Sequence, residues 1–292
     1  MQIRLIRYFL ALVKERHFAR AADACGVTQP TLSAGLTALE RQMGKRLVVR
    51  DRRFISLTPE GEAMLPWAQQ MLAAQEGMNA AVGGVRGPLT GEFRLGAIPA
   101  ALPWTGRLAQ ALLAAQPELD LSIRSLTSRE IVRALAAFEL DGGITYLDHE
   151  PPADVIRVPL YAEQYRVLLR RDVAGDRTDI SVATAADLPL CLLHQGMQNR
   201  RILDARMAER GLILRPRATA DSYVALLALV QDGPFATIIP DSYARLLPDL
   251  PWASILPFSD PLPSSTVGLV VLDREPVATM ACAVLAAARS LA

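Results

Sequence analysis

The stretch FARAADACGVTQPTLSAGLTALE, residues 18–40, carries the signals of two short helices joined by a tight turn. Small residues favour a helix in its first part, and Gly26 and Val27 break that helix. Thr28 suits the cap of a second helix, and Pro30 lies in its first turn, where the missing N–H costs nothing. The arrangement predicts a helix-turn-helix, in which the second helix enters the major groove of DNA.

The second helix divides into an apolar stripe and a polar face. Leu32, Leu36 and Leu39 recur at helical spacing and form the stripe. Glutamine pairs with adenine through two hydrogen bonds, and a threonine methyl or an alanine contacts the thymine methyl. Gly35 costs about 1 kcal/mol relative to alanine within a helix, and it permits close backbone approach. The side chains that lie off the stripe and are predicted to contact DNA are Thr28, Gln29, Thr31, Ser33, Ala34 and Thr37.

A predicted β-hairpin follows the second helix. Residues 47–50 have the composition of a strand, residues 51–53 that of a turn, and residues 54–57 that of a returning strand. The hairpin brings three arginines close to the phosphate backbone or the minor groove, where such contacts position a protein without reading much sequence. These predicted contact residues are Arg50, Arg52 and Arg53.

The run RYFLALVKERHFARAADACGVTQPTLSAGLTALERQMGKRLVVRDRRFISLTPEG, residues 7–61, resembles the winged helix-turn-helix of LysR-type transcriptional regulators. The family's characteristic segments occur here in the family's order along the chain: the AA pair, TQPTLS, the LE to MGKRL segment and LTPEG. The resemblance implies a regulator that binds double-stranded promoter DNA and a small-molecule effector. We expect it to stay in the cytoplasm, because residues 1–14 lack the apolar core and cleavage site of a signal peptide. The resemblance also implies a homodimer or a homotetramer, contact with RNA polymerase, and no membrane partner.

Residues 59–88 are predicted to form a linker helix. Thr58 suits its cap, Pro59 its first position, and Pro66 introduces a kink near its start. The resemblance implies that this helix pairs with its counterpart in a second subunit, and the alternative is a helix docked on its own chain. The apolar residues that repeat along it are Ala63, Trp67, Met71, Ala74, Met78, Ala81 and Val85.

Charge is divided unevenly along the chain, although the net charge is only +1. Residues 1–60 hold 11 basic and 5 acidic side chains, and the remainder holds 20 basic and 25 acidic ones. A basic end on a mildly acidic body indicates that the N-terminal module contacts nucleic acid. The alternative is a solvated charged face.

From Thr90 onward, strands alternate with helices, which predicts parallel sheets covered on both faces. The predicted fold class is therefore α/β with a helix-rich N-terminal module. The resemblance extends the prediction to a two-lobed effector domain of the periplasmic-binding-protein-like type 2. The predicted domains are residues 1–58, 59–88 and 89–292. Lobe I covers about 89–161 and 268–292 and lobe II about 162–267, with crossovers near 161–163 and 266–268.

Ligands of open α/β sheets bind beyond the carboxyl ends of the strands. Helix N-termini there attract anions, and the resemblance implies an organic-acid effector between the lobes. Helix capping is the alternative role for Thr127 and Ser128, and an ordinary structural histidine is the alternative for His194. The candidate effector residues are Ala100, Ala101, Thr127, Ser128, Thr145, His194, Gln195 and Asn199.

Enzyme signatures are absent from the sequence, which has no G-x-S-x-G, Walker or H-E-x-x-H motif. We therefore expect no catalytic residue, no metal site and no cofactor. Cys25, Cys191 and Cys282 are too far apart in sequence to suggest a disulfide or a redox pair. The rival interpretations are a solute-binding receptor, which lacks its signal peptide here, and an enzyme on the same two-lobed fold.

Overall fold

The computed structural model describes residues 2–50, 54–84, 88–149, 152–247 and 250–291 of the chain. The chain divides into two compact units. The first comprises Met1–Gly87 with Ala136–Phe138, and the second comprises Pro88–Leu135 with Glu139–Ala292. Each unit has its own hydrophobic core.

The first unit is a winged helix-turn-helix followed by a long helix, as the sequence predicted. A buried cluster of leucines, with Phe9 and Tyr8, holds its first three helices together. The elements are α1 (Ile3–Glu15), α2 (Phe18–Ala24), α3 (Gln29–Met43), β1 (Val48–Arg50), β2 (Phe54–Leu57) and α4 (Pro59–Gly84).

Helix α3 begins and ends at the residues that its sequence favours. Thr28 is the N-cap, and its hydroxyl accepts a hydrogen bond from the Thr31 N–H. The helix ends at Gly44, whose φ of 67° suits glycine. Strands β1 and β2 pair antiparallel and form the predicted wing. Arg52 and Arg53 lie outside the described residues.

Gly35 permits the close backbone approach that the sequence suggested, and its neighbour is helix α1. A Cβ atom built on it lies 2.6 Å from Tyr8 Cδ2, on that helix. The reason is that residue 35 precedes the buried Leu36 and faces the packed side of the helix.

Helix α4 presents several large apolar residues to solvent. Its N-terminus is capped by Thr58, whose hydroxyl accepts from the Gly61 N–H at 3.0 Å. Pro66 lies within the helix. Within this chain Trp67 is 68% exposed and Met78 is 61% exposed, although both are large apolar side chains. Val85, the predicted end of the seam, lies outside the described residues.

The second unit contains two groups of sheets. Its elements are β3 (Gly91–Ala97), α5 (Leu102–Ala115), β4 (Leu119–Ser125), α6 (Ser128–Ala136), β5 (Gly142–Tyr146), β6 (Val155–Glu163), β7 (Tyr165–Arg170), α7 (Arg171–Ala174), α8 (Val182–Ala186), β8 (Cys191–Leu193), α9 (Gln198–Ala208), β9 (Ala218–Ala220), α10 (Tyr223–Asp232), β10 (Ala236–Pro240), α11 (Asp241–Leu246), β11 (Ala253–Pro257), β12 (Ser265–Leu272) and α12 (Thr279–Arg289).

Lobe I is built on a five-stranded sheet with the order β4-β3-β5-β12-β6. Lobe II is built on the sheet β10-β7-β11 and the strand pair β8-β9. The expectation of parallel sheets is correct for β3 with β4 and β5 and for β8 with β9, but wrong elsewhere. Strands β12 and β7 run antiparallel to their neighbours. Strands β6 and β12 are antiparallel because the chain leaves lobe I along β6 and returns to it along β12.

The connection between the lobes passes through one residue at its first crossing. Strand β6 ends at Glu163 and β7 begins at Tyr165, so Gln164 alone separates them. Residues 161–163, a predicted crossover, form the end of β6, and residues 266–268 lie inside β12. The described residues contain no helix that is both long and apolar enough to cross a bilayer.

Candidate DNA-contacting surface and inter-lobe site

The outer face of α3 is open to solvent. Gln29, Thr31, Ala34 and Thr37 are exposed and Ser33 is half-buried, because the leucine stripe occupies the opposite face. Thr37 Oγ1 donates to the Ser33 carbonyl at 3.0 Å. The exposed side chains at the start of the helix are where base edges are read in helix-turn-helix proteins.

Arg50 connects the wing to the recognition helix. Its Nη2 donates to Thr37 Oγ1 and to Glu40 Oε2, at 3.0 Å each. Its guanidinium also lies 6.0 Å from the centre of the Phe18 ring. The other carboxylate oxygen of Glu40 accepts from the backbone N–H groups of Leu47 and Val48. Glu40 therefore fixes both the first wing strand and its arginine against α3.

A depression of about 760 Å³ lies along this face. Four basic side chains and a single acidic one line it, which suits a phosphate backbone. The structure brings together Gln29, Ser33, Thr37 and Arg50 here, whereas Thr28, Thr31 and Ala34 lie outside the lining. The lining residues that the sequence interpretation missed are Phe18, Glu40, Arg41, Gly44, Lys45 and Arg46.

The two lobes meet at a buried group of polar side chains, which we call the inter-lobe cluster. Its carboxylate, Glu163, stands at the end of β6, and its amide, Asn199, stands in the first turn of α9. All five members are less than a tenth exposed. The inter-lobe cluster consists of Tyr146, Glu163, Tyr165, Asn199 and Tyr223.

Hydrogen bonds of the inter-lobe cluster cross from one lobe to the other. Tyr146, on lobe I, donates to Glu163 Oε1 at 2.6 Å. Asn199 Nδ2, on lobe II, donates to Glu163 Oε1 at 3.1 Å and to the Tyr146 hydroxyl at 2.7 Å. Tyr223 donates to Asn199 Oδ1 at 3.0 Å. Because each member bonds to a partner on another element, the cluster fixes the lobes in one arrangement.

Burial sets the protonation of the cluster. It raises the pKa of Glu163 to about 8, and the charges of Asp241 and Asp148 raise it further. The hydrogen bonds from Tyr146 and Asn199 act in the opposite direction and lower it. Burial also raises the pKa of Tyr146, and the Glu163 charge adds to that effect. The carboxyl is therefore largely protonated at neutral pH.

A second chain of contacts extends the cluster along the junction. The Gln198 side chain donates to the His149 carbonyl. The His149 ring Nε2 lies 3.2 Å from Ser265 Oγ, and Ser265 is the β12 partner of Glu163 in the sheet. Two acceptors in this region, Glu163 Oε2 and Gln198 Oε1, are buried without a hydrogen-bond partner among the described residues.

The predicted effector residues are not all brought together. Asn199 belongs to the inter-lobe cluster, and Thr145 is buried beside Tyr146 on β5. His194 and Gln195 are exposed, and His194 Nδ1 accepts from the Gly196 N–H at 2.9 Å.

The two predicted loops of lobe I are occupied by contacts within the chain. Ala100 and Ala101 are buried, and the Ala100 carbonyl accepts from Ser242 Oγ of α11. Thr127 forms a capping box, in which its N–H and hydroxyl both donate to Glu130 Oε2 at 2.8 Å. Ser128 is buried in the same turn. The structure thus favours the capping role for Thr127.

The sequence contained a weak signal for the missed residues. Glu163 is an acidic residue between two tyrosines in the apolar run PLYAEQYRVLL, residues 159–169. A charge inside such a run needs a buried partner, because an unpaired buried charge is costly. Tyr146, Tyr165 and Tyr223 carry no comparable signal, since a lone tyrosine is ordinary in a core.

The cysteines do not form a reactive pair in the described residues, where all three are free. Cys191 is buried, and burial raises the pKa of its thiol to about 11. Burial likewise raises the pKa of Cys25. Cys282 is exposed. No group of three His, Cys, Asp or Glu side chains among the described residues is placed to hold a metal ion.

Comparison with known proteins gives matches over both units. The family described as "LysR substrate binding domain" matches residues 86–291, and "Bacterial regulatory helix-turn-helix protein, lysR family" matches residues 3–62. A relative named "Probable hydrogen peroxide-inducible genes activator", from Mycobacterium avium, is 33% identical over 271 residues. The aligned region covers 91% of this chain and 86% of that protein.

Solved structures agree over the full length. A full-length OxyR variant from Pseudomonas aeruginosa has a TM-score of 0.78 and 27% identity, covering 100% of this chain and 97% of that one. Full-length CbnR in complex with its target DNA has a TM-score of 0.73 at 21% identity, with 100% of both chains covered, and shows the same fold. With both of its units matched, the chain belongs to the LysR family, whose members are DNA-binding transcriptional regulators and not enzymes.

Proposed function

We propose that this regulator acts in the cytoplasm as a homodimer, itself able to pair into a homotetramer, on a pseudo-palindromic promoter site. The observation that carries the proposal is the pair of solvent-facing surfaces on the first unit. One is the polar face of α3 with its basic depression, and the other is the apolar seam of α4. A two-fold dimer presents two such helices to two half-sites.

Side chains of α3 and of the wing have different roles in DNA binding. Gln29, Ser33 and Ala34 are exposed or half-buried near the helix start and contact base edges, together with Thr28, Thr31 and Thr37. Arg50, Arg52 and Arg53 contact phosphates, because wing arginines reach the backbone. The placement of Arg50 against Thr37 and Glu40 supports this division.

The α4 seam pairs with the same helix of a second subunit. Trp67, Met71, Met78 and Val82 are exposed in the single chain, and large apolar side chains at helical spacing gain free energy when a partner covers them. The partner helix runs antiparallel in this proposal. The resulting dimer places its two winged helices on the promoter. Once bound there, it contacts RNA polymerase.

Regulation comes from a small molecule bound between the lobes. Its supporting observation is the network that joins Tyr146 and Glu163 to Asn199 across the junction. An effector that binds one lobe arrangement more tightly than another shifts the population toward it. An organic acid fits this site poorly, because Glu163 already places a carboxyl group there and the peroxide-related relatives give that class no support.

Hydrogen peroxide is a second candidate signal, favoured by the names of the relatives. Sensing by a cysteine requires a thiolate, which is the nucleophilic form. Burial raises the pKa of both Cys191 and Cys25, which disfavours that form. We therefore place regulation in the inter-lobe cluster and not in a thiol switch.

Selection from a random duplex library tests the proposal. The full chain should enrich an inverted repeat, with half-sites related by the dimer axis. The double variant Trp67→Glu, Met78→Glu places charges in the seam, so it should elute as a monomer and lose the repeat. The matched variant Gln70→Glu, Glu76→Gln changes exposed polar residues of the same helix and should keep both properties. Enrichment of no sequence by the unmodified chain would contradict the proposal.

A further inference from the structure

Two buried acceptors at the junction of the lobes lack a hydrogen-bond partner among the described residues, as does the hydroxyl of Tyr161. Glu163 Oε1 already accepts two hydrogen bonds, while Glu163 Oε2 and Gln198 Oε1 are buried and unpartnered among the residues that the structure describes. Buried polar atoms are nearly always paired in folded proteins, so unpartnered ones mark a place where another group fits. When Glu163 is protonated, its own O–H supplies a donor here, but once the carboxyl is ionised the group that fits beside these acceptors must be a donor.

The charges around Glu163 are predominantly negative. The carboxylates of Asp241 and Asp148 both act on it. Asp241 pairs with Arg245 at 3.0 Å, and Asp148 lies 3.6 Å from His149. The described hydrogen-bond partners of Glu163 itself, Tyr146 and Asn199, are neutral. A cation entering the cluster therefore meets an acid that has no cationic partner of its own.

Aromatic residues line this part of the junction between the lobes. Tyr146, Tyr165 and Tyr223 belong to the cluster, and the Tyr223 ring lies 4.4 Å from that of Tyr243, centre to centre. Trp104 stacks on Tyr161, which shares a face of β6 with Glu163. Ring faces attract ammonium and guanidinium groups, most strongly where water is excluded.

We propose that the effector of the inter-lobe cluster is a small organic cation, a primary ammonium or an amidinium, that donates to Glu163 Oε2 and Gln198 Oε1. The proposal rests on the proposed function, since it names the effector class of the regulatory site. The cluster is closed in this structure, so the cation enters when the lobes separate about Gln164. Its donors then tie the β6 end of lobe I to the α9 start of lobe II.

Proton release accompanies this binding. Burial raises the pKa of Glu163, so the free protein holds a proton there near neutral pH. An ammonium or amidinium group pairs with the ionised carboxylate, and the proton leaves to solvent. The apparent affinity for the cation therefore rises with pH, by about tenfold per pH unit below the pKa of the carboxyl. Carboxylate ligands should show no such dependence.

Calorimetric titration of the full chain with putrescine, agmatine and benzylamine tests the proposal, with acetate, succinate and benzoate as the anionic set. At least one amine should bind, and its affinity should rise about tenfold from near pH 6.5 to near pH 7.5. Glu163→Gln should weaken that binding at least tenfold, whereas Glu118→Gln, at an exposed site in the same unit, should not. Binding of a carboxylate that depends on Glu163 would overturn the proposal.

Two further results also overturn it: no binding by any of the amines, or amine affinity that is independent of pH. Neither requires a variant, so the test holds even if Glu163→Gln fails to fold. Duplex DNA binding by the same preparation distinguishes failure of the effector class from failure of the proposed function. Selective DNA binding without amine binding removes only the effector class, whereas absence of selective DNA binding removes the proposed function.

Discussion

Arg50 Nη2 lies 3.0 Å from Glu40 Oε2, an ion pair between the wing and the recognition helix. The Glu40 side chain is only 10% exposed, and its other oxygen accepts from two backbone N–H groups of the wing. The geometry of the DNA-contacting surface therefore depends on a carboxylate that need not contact DNA itself.

Glu40→Gln should lower both stability and DNA affinity. A neutral amide loses the ion pair and turns donor hydrogens toward wing donors, and hydrogen bonds to charged groups contribute about 1.5–3 kcal/mol. Thermal unfolding and fluorescence anisotropy with duplex DNA measure the two effects. Glu76→Gln changes an exposed acid in the middle of α4, in the same unit, and should alter neither. Equal values for both variants would show that Glu40 is dispensable.

Gln29→Ala should relax sequence preference more than it lowers overall affinity. Gln29 is exposed at the start of α3, and a glutamine–adenine pair provides about 1–3 kcal/mol of discrimination. Competition between the selected operator and single-base variants measures the preference. Gln42→Ala, near the exposed end of the same helix, serves as the control. A uniform loss across all duplexes would assign Gln29 a positioning role.

Gly35→Ala should destabilise the first unit. The added methyl lies 2.6 Å from Tyr8 Cδ2, within a ring that is 3% exposed, and overpacking of this kind costs about 1–3 kcal/mol. The helix propensity gained, about 1 kcal/mol, offsets only part of that cost. Gly77→Ala, which meets nothing within 4 Å on α4, should instead raise Tm. A higher Tm for Gly35→Ala would mean that Tyr8 moves aside freely.

Stability should fall as pH rises, through Glu163. Burial raises the pKa of this carboxyl from 4.5 to about 8, so between those values the folded chain holds a proton that the unfolded chain has released. The stabilisation is complete below the lower value and is lost as pH rises through the upper one, by at most about 1.4 kcal/mol per pH unit. Glu163→Gln removes the dependence.

The expected readout is a difference in unfolding free energy that depends on pH. The Glu163→Gln variant should match the unmodified chain near pH 5 and exceed it by at least about 1 kcal/mol near pH 8.5, because an amide has no proton to lose. Denaturant unfolding at several pH values gives the two curves. Parallel curves would show that Glu163 has an ordinary pKa in the folded chain.

Hydrogen peroxide should not form a disulfide within this chain. With the thiol pKa raised to about 11, less than about one in a thousand Cys191 groups is ionised at neutral pH. Mass spectrometry of the peroxide-treated chain, before and after reduction, detects any Cys191 crosslink. Cys191→Ser should respond to peroxide as the unmodified chain does. A disulfide through Cys191, with an accompanying change in DNA affinity, would restore the thiol mechanism.

Local signals explain why the first unit was predictable. Gly26, Thr28 and Pro30 each act on residues within one or two turns, so their effects are visible in the sequence. The second unit was less predictable, because alternation of strands and helices does not reveal strand direction. That is why parallel sheets were expected throughout this unit, whereas β12 and β7 run antiparallel to their neighbours.

The inter-lobe cluster as a whole was outside the reach of sequence reasoning, although Asn199 was predicted and Glu163 left a weak signal. Its members come from β5, β6, β7, α9 and α10, and only the packing of the lobes brings them together. Asn199 was predicted because it follows a strand end. Glu163 lies on a crossover, and its importance depends on its burial, which the sequence does not show. Conversely, Ala100 and Thr127 follow strand ends as predicted, but their polar groups already form hydrogen bonds within the chain.

The most direct test of the central claim is a titration of the full chain with its selected operator duplex between about 50 and 200 mM salt. The account predicts that the logarithm of affinity falls linearly with the logarithm of salt concentration, with a slope of about −0.9 per neutralised phosphate, and that Arg50→Ala flattens the slope. It also predicts that the operator binds more tightly than a scrambled duplex at every salt concentration. Affinity that is independent of salt, or equal for the two duplexes, would contradict the assignment of α3 and the wing as a sequence-reading DNA surface.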